Sequence, residues 1–213
     1  MEEYYLEENH DIPVDVLIES IRKHTINLNF CPVFMGSAFK NKGVQLLLDG
    51  VVSYLPNPTE VTNIALDTKN NEAKVELEIN DKKPFVGLAF KLEETQFGQI
   101  TWIRIYQGKV KKGQNIMNIA TGKKNKVSRM VRMHSEDMED INEAGAGDIF
   151  ALFGVDCASG ETFCDINTSL AMTSMHVPDP VMSLTIKPKK NEDLDGFLKA
   201  LKRFQREDPT FVV

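Results

Sequence analysis

Cysteine is scarce in this chain. Only Cys31, Cys157 and Cys164 occur in 213 residues, an odd number with no close pair. That argues against a disulfide framework of the kind that staples small secreted domains. Free thiols in a reducing compartment, acting as small buried hydrophobes, fit better. Histidine lacks pattern: His10, His24, His134 and His176 are scattered, and none sits at ligand spacing to a cysteine, so no metal site is expected. Long apolar runs are missing too. Nothing approaches the roughly 20 residues needed to cross a bilayer, and no membrane association is expected. The opening Met1-Glu-Glu-Tyr-Tyr-Leu-Glu-Glu is acidic, which argues against a secretory signal or an Arg-rich transit peptide at this N-terminus.

The composition is that of a soluble globular chain with room for one large or two small domains. A net charge of −6 excludes a generally basic nucleic-acid binder, but the charge is uneven. Acids gather at the two ends and around Glu136–Glu143. The stretch Lys109–Arg132 holds Lys109, Lys111, Lys112, Lys123, Lys124, Lys126, Arg129 and Arg132 and no acid. A basic stripe on an acidic protein suits a surface that meets phosphate at one place. A solvated sheet edge whose lysines deter aggregation has the same pattern, and the pattern alone does not separate the two.

Four textures follow one another along the chain. Val14, Leu17, Ile18 and Ile21 have helical spacing. Phe30-Cys-Pro-Val-Phe-Met35 is a short apolar run ending in Gly36-Ser37, as in a buried strand of a parallel sheet. Val44 to Leu55 reads as a helix stopped by Pro56 and Pro58. Helix, strand, loop, helix is the grammar of an α/β layer, yet one strand and two helices cannot make a domain. Residues from about Asn57 to Lys82 are polar and read as a linker with one short strand near Val75–Ile79. From Pro84 to about Leu170 the chain alternates in short segments (Phe85–Leu92, Ile100–Tyr106, Asn115–Ile119, Lys126–Met133, Asp148–Val155) punctuated by glycines. That texture predicts a closed antiparallel barrel. Finally Pro178–Lys187 reads as a strand and Asn191–Phe204 as a helix, with Asn191 as N-cap, Glu192 and Asp193 at the positive end of the dipole, and an apolar stripe of Leu194, Phe197, Leu198, Leu201 and Phe204.

The order of motifs carries a resemblance. Cys31-Pro-Val-Phe-Met-Gly-Ser-Ala-Phe-Lys-Asn-Lys-Gly-Val-Gln-Leu-Leu-Leu-Asp-Gly-Val-Val-Ser-Tyr-Leu-Pro56 resembles the end of the GTPase domain of the elongation factor G family. Phe97-Gly98, Arg104-Ile-Tyr-Gln-Gly108, Arg129-Met-Val-Arg-Met-His134 and Ala146-Gly-Asp148 fall where that family's second domain has its marker residues. Val177-Pro-Asp-Pro-Val181, Ile186-Lys-Pro188 and Arg206-Glu-Asp-Pro-Thr-Phe211 resemble the start of the third. The resemblance covers essentially the whole chain. It implies a multidomain α/β plus all-β chain: a C-terminal piece of a P-loop GTPase α/β domain at 1–57, a linker at 58–83, a translation-factor antiparallel β-barrel at 84–172, and the first strand and helix of a ferredoxin-like α+β domain at 173–213.

The resemblance also carries functional expectations. Gly36, Ser37, Ala38 and Phe39 match the family's guanine loop, where a main-chain N–H after a strand donates to the guanine O6 and small side chains let the base approach. GTP and Mg²⁺ are the implied cofactors of the parent protein. The implied partners are the ribosome, through small-subunit rRNA and the factor-binding site, with tRNA and mRNA engaged indirectly. The implied state is a monomer. No Gly-x-x-x-x-Gly-Lys-Ser/Thr and no Asn-Lys-x-Asp occurs in these residues, so this stretch has no phosphate cradle, no catalytic residue is assigned, and the chain alone is expected to be inactive. Lys123, Lys124, Lys126 and Arg132 are the candidate RNA contacts; alternation from Lys126 to Arg132 would put Lys126, Ser128, Met130 and Arg132 on one face and Arg129 on the other. Ala151–Gly160 is closer to the mitochondrial type, which favours the mitochondrial matrix over a bacterial cytoplasm. Three functional classes follow. One is a GTPase that drives translocation, or a relative acting in ribosome recycling. The second is a ribosomal-RNA-docking module without turnover. The third, a general single-strand-binding barrel, needs exposed aromatics; Phe85, Phe90, Trp102 and Tyr106 alternate as core residues would, which speaks against it.

Overall fold

The computed structural model describes residues 12–95, 98–135, 137–172 and 179–213. His10, His176, Phe97, Glu136, the acidic start and Val177-Pro178 lie outside the described residues. The chain divides into two compact units, Met1–Val61 and Thr62–Val213.

The first unit is a helix, an extended run, a tight turn and a second helix. Helix Val14–Ile26 follows Pro13, and helix Val44–Tyr54 follows Gly43. Pro56 and Pro58 prevent the second helix from continuing, because proline has no N–H to donate and clashes with the preceding turn. Phe34 folds back onto this helix. A Cβ on Gly50 would lie 2.4 Å from the Phe34 ring, so only glycine admits the ring there, and Phe34 also packs against Tyr54 at 6.4 Å between centroids. The apolar run Phe30–Met35, expected as a buried strand, is extended but forms no ladder, and Val33 and Met35 are exposed. A strand needs a neighbour to take its N–H and C=O groups, and no described segment of this unit pairs with it in a ladder.

The second unit is built on an eight-stranded antiparallel sheet. Its strands are β3 (Val86–Thr95), β4 (Gly98–Gln107), β6 (Asn115–Asn118), β7 (Lys124–Lys126), β8 (Arg129–His134), β9 (Asp137–Ile141), β11 (Ile149–Phe153) and β12 (Thr162–Asp165). They pair in the order β7-β6-β12-β3-β4-β11-β8-β9. Closure comes from a short ladder between β5 (Val110–Lys111) and β10 (Glu143–Ala144). Because β5 runs on into β6 and β10 continues β9, this ladder joins the two ends of the sheet into a barrel. The interior is apolar: Phe85, Ile103, Ile105, Ile116, Val127, Met130, Phe150, Leu152 and Phe163 are buried in one cluster. Alternation along β4 sends Thr101, Ile103, Ile105 and Gln107 inward and Trp102, Arg104 and Tyr106 outward. Trp102 and Tyr106 are therefore not barrel-interior residues; of the four strand aromatics, Phe85 alone is in that cluster.

The stretch 58–83, read as a linker, carries more structure than one strand. β1 (Asn63–Asp67) and β2 (Ala73–Leu77) form a hairpin, and β1 also pairs with β13 (Leu170–Met172). This three-stranded sheet lies over the barrel's outer face, where Ala65, Leu77, Val86 and Cys164 are buried together against Tyr106 and Leu170. After β13 the described chain resumes at Asp179. Of the expected strand Pro178–Lys187, the described residues 179–187 form no ladder among the described residues, and Val181, Met182 and Leu184 are exposed. Helix Leu194–Glu207 follows a 3₁₀ turn at Asn191–Asp193. It is held to the barrel by Arg206, whose Nη1 donates to Asp156 Oδ1 at 2.6 Å and whose carbonyl accepts from Ser159 N–H at 3.0 Å. Leu201 is buried, while Leu194, Leu198 and Phe204 of the same stripe are largely exposed.

Candidate functional site

The loop Gly36–Phe39 is a tight turn closed on itself. Ser37 N–H donates to Lys42 O at 2.9 Å and Lys42 N–H donates back to Ser37 O at 3.0 Å. Lys40 N–H donates to Ser37 O and Asn41 N–H to Ala38 O. The crossing of the two arms needs glycine on both: a Cβ on Gly36 would lie 2.8 Å from Lys42 O, and one on Gly43 2.8 Å from Met35 O. Among the described residues, Ala38 and Phe39 N–H have no acceptor. Ala38 is exposed and Phe39 projects entirely into solvent. The turn thus leaves two main-chain N–H groups without an internal acceptor among the described residues, beside the Ala38 methyl group. Nothing in the loop cradles a triphosphate.

The basic candidates do not form one face. β7 ends at Lys126 and β8 begins at Arg129, so the segment expected as one strand is two. Val127 and Met130 both enter the interior, which is possible only because the chain turns at residues 127 and 128. Alternation therefore resets, and Lys126 does not share a strand face with Arg132. Lys123, Lys124 and Lys126 are exposed on β7 and the turn before it, at the outer side of β6. Arg132 lies on the parity of Met130 at the end of the barrel, half-buried, with Nη2 3.9 Å from Asp148 Oδ2. Arg129 is committed elsewhere: Nε donates to Asp140 Oδ1 at 2.8 Å, Nη2 donates to Asp140 Oδ2 at 3.2 Å, and its guanidinium lies 5.0 Å from the Phe153 ring. Arg129 holds the Asp140 carboxyl below the usual range, and the carboxylate raises Arg129 in return.

The other marker residues serve the barrel. Ala146 N–H donates to Asp81 Oδ1 at 2.8 Å, Gly147 N–H to Ile105 O at 2.9 Å, and Gly145 N–H to Asp148 Oδ2 at 3.0 Å, so this turn ties the β10–β11 connection to β4 and to residue 81. Arg104 stacks on Tyr106 at 4.9 Å. Burial raises the thiols of Cys157, to about 11, and Cys164, to about 12. Thr101 partly offsets this at Cys157, and Leu170 O at Cys164. Among the described residues no cluster of His, Cys, Asp or Glu could hold a metal ion.

Two family models match. Residues 98–164 match Elongation factor Tu domain 2 and residues 177–213 match Elongation Factor G, domain III. Elongation factor G 1 of Borreliella afzelii (strain PKo) is 54% identical over 204 residues, covering 96% of this chain and 29% of that protein. Elongation factor G 1 of Borrelia garinii subsp. bavariensis and that of Borreliella burgdorferi are also 54% identical over 204 residues, with the same coverage. The chain thus spans about 29% of the length of these curated relatives. Among solved structures, a protein of Thermus thermophilus superposes with a TM-score of 0.66 at 21% identity, over 98% of this chain and 29% of that one. The fold is therefore that of a translation-factor second domain with flanking α/β and domain III segments, in a chain similar over nearly its whole length to one stretch of elongation factor G.

Proposed function

We propose that this chain is a stretch of a translational GTPase of the elongation factor G type, which couples GTP hydrolysis to movement of tRNA and mRNA through the ribosome. The observation that carries the reading is the 54% identity to elongation factor G 1 across 96% of the chain. The domain division at 1–57, 58–83, 84–172 and 173–213 belongs to the same proposal. In this reading residues 36–39 recognise guanine: Ala38 and Phe39 N–H have no internal acceptor among the described residues, and they sit on the glycine-crossed turn. GTP supplies the hydrolysis energy in the parent, with Mg²⁺ bound among its phosphates, and this chain's own residues contribute the base contact. The relatives named are bacterial, which favours a bacterial cytoplasm over the mitochondrial matrix. Action as a monomer, and action in ribosome recycling instead of translocation, are compatible with the same residues.

A second reading, an rRNA-docking module without turnover, rests on the exposed Lys123, Lys124 and Lys126 at the barrel edge. Arg132, engaged with Asp148, belongs to this proposal only if that pair opens. The test uses the 213-residue chain and a longer polypeptide that carries a phosphate loop upstream. The longer protein is expected to hydrolyse GTP faster with ribosomes and to advance mRNA on them; the 213-residue chain is expected to show neither turnover nor micromolar GTP affinity. A ribosome-independent longer protein would refute the translational reading.

A further inference from the structure

Within the second unit, β13, the end of β6 and the loop before β12 enclose a cleft of about 440 Å³, a size in the range of small-molecule sites. Ile119, Ala171, Met172 and Pro209 give it apolar walls. Its polar side chains have mostly spent their protons. Thr68 Oγ1 donates to Ser169 O and Ser159 Oγ donates to Phe90 O, each at 3.0 Å, so each hydroxyl keeps only lone pairs. The Glu161 carboxylate is an acceptor as well. Its Oε2 accepts from Asn118 Nδ2 at 2.6 Å. Asn118 is fully buried, and its own Oδ1 accepts from Ala120 N–H at 3.0 Å and Thr121 N–H at 3.3 Å. The loop that carries Glu161 is tied to β3: Gly160 N–H donates to Ala89 O at 2.7 Å, and Ala89 N–H donates to Glu161 O at 2.9 Å. Glu161 is thus half-buried and held in place, and its Oε1 has no partner among the described residues. Thr162, which accepts from Met172 N–H at 2.9 Å, is the one lining hydroxyl that keeps its proton. Among the described residues no Lys, Arg or His lines the cleft, and Arg206 is paired with Asp156 at 2.6 Å.

We propose that this cleft binds a small organic ammonium ion, with its nitrogen on Glu161 and Ser159 and its hydrocarbon body along Ile119, Met172 and Pro209. A primary ammonium carries three donors and no acceptor, the complement of a cleft whose polar side chains mostly accept. A carboxylate set among apolar walls without a cation is costly, and an ammonium supplies both the charge and the donor that Oε1 lacks. A neutral hydrocarbon would cover the walls and leave Oε1 shielded from water with nothing to accept from. An anion would meet the Glu161 charge at close range. None of residues 36–39 and none of the lysines at 123, 124 and 126 lines the cleft, so its occupancy does not depend on the GTPase reading.

The test titrates the isotope-labelled 213-residue chain with 2-phenylethylammonium and, in parallel, with 2-phenylethanol, which has the same body and no charge. Amide resonances of Ser159, Gly160, Glu161 and Met172 are expected to shift saturably with the ammonium, with a Kd of about 1 mM or tighter. The alcohol is expected to bind at least about tenfold more weakly. Glu161→Gln keeps an oxygen for Asn118; it should weaken the ammonium at least about tenfold and leave the alcohol unchanged. Ala120→Phe crowds the cleft from an exposed position and keeps the carboxylate; it should weaken both ligands. Equal affinity for ammonium and alcohol, unchanged ammonium affinity in Glu161→Gln, or the absence of any saturable shift at the cleft would overturn the proposal. If Glu161→Gln loses its native Trp102 fluorescence, Ala120→Phe is read in its place: weakened ammonium binding supports the cleft, and unchanged binding overturns it.

Discussion

Gly108 offers the sharpest test of how the barrel is closed around its first strand. It has φ +72°, and a Cβ there would stand 2.5 Å from Lys83 O, 2.6 Å from Phe85 N and 2.7 Å from Phe85 Cα. These are main-chain atoms, so no side-chain rotamer relieves the clash. The same junction is cross-tied: Gly108 N–H donates to Asn80 O, and Gln107 bridges Pro84 O and Glu78 N–H. Gly108→Ala adds a left-handed-region cost of about 1–2 kcal/mol and an overpacking cost of about 1–3 kcal/mol. Gly122 is the control, because it has φ +67° and nothing within 4 Å of its Cβ position; Gly122→Ala should cost about 1–2 kcal/mol from the backbone alone. The gain from a stiffer unfolded chain is common to both and cancels. Trp102, the only tryptophan, sits on β4 and reports barrel unfolding by fluorescence. At about 2–4 °C per kcal/mol for a chain of this size, Gly108→Ala should melt roughly 5–20 °C below wild type and Gly122→Ala roughly 2–8 °C below. Equal melting temperatures for the two variants would refute the steric argument.

Other outcomes follow from the same geometry. At pH 8 a thiol reagent should titrate Cys31 rapidly in the native chain and reach Cys157 and Cys164 only in denaturant, because their thiols are raised to about 11 and about 12 by burial; three fast thiols in the native state would contradict the buried placement. Hydrogen exchange should be slowest in β3, β4 and β11, and faster in Leu46–Val52 and Leu194–Phe204, where Leu46, Leu47, Leu48, Leu194, Leu198 and Phe204 are exposed; slower exchange in either flank would contradict the ranking. Replacing Lys123, Lys124 and Lys126 by Ala in a full-length factor should weaken small-subunit binding and lower its salt slope by about one unit per lost phosphate contact; an unchanged slope returns β7 to a lysine-guarded edge.

Which parts were legible in the sequence follows from where the stabilising contacts lie. Both helices of the first unit, β3, β4, β6 and β11 were readable because each places its apolar residues at a local period, 3.6 or 2. β12 was missed. Thr162-Phe-Cys-Asp165 is buried between β3 and β6, and four residues are too few to show alternation. β9 was missed for a different reason: Asp137-Met-Glu-Asp-Ile141 has poor strand propensity. It is a strand because β8 sets it opposite Val131 and Arg132, pairing Arg132 with Glu139 in register and giving Asp140 to Arg129. Here the ladder to β8 and the packing of Ile141 against the interior outweigh intrinsic preference. The reverse error befell Phe30–Met35 and the described part, 179–187, of the expected strand Pro178–Lys187. Their patterns are those of strands, but a pattern specifies only one side of a ladder, and these segments meet no second side in the described chain.

The candidate site divides along the same line. The glycines of the loop proposed to meet guanine were visible in the sequence, and their steric role appears only where a Cβ on Gly36 or Gly43 would lie 2.8 Å from a main-chain oxygen. The basic stripe was visible as composition, but its facing was misjudged, since a period-2 argument holds only along an unbroken strand and the turn at 127–128 interrupts this one. Arg22 gave no signal at all. It is one arginine on an amphipathic helix, and its partners lie at 53, 55 and 60. Composition and period describe how an element faces its core. They are silent on a side chain that reaches across to the end of another element, as Arg22 does to Ser53, Leu55 and Glu60.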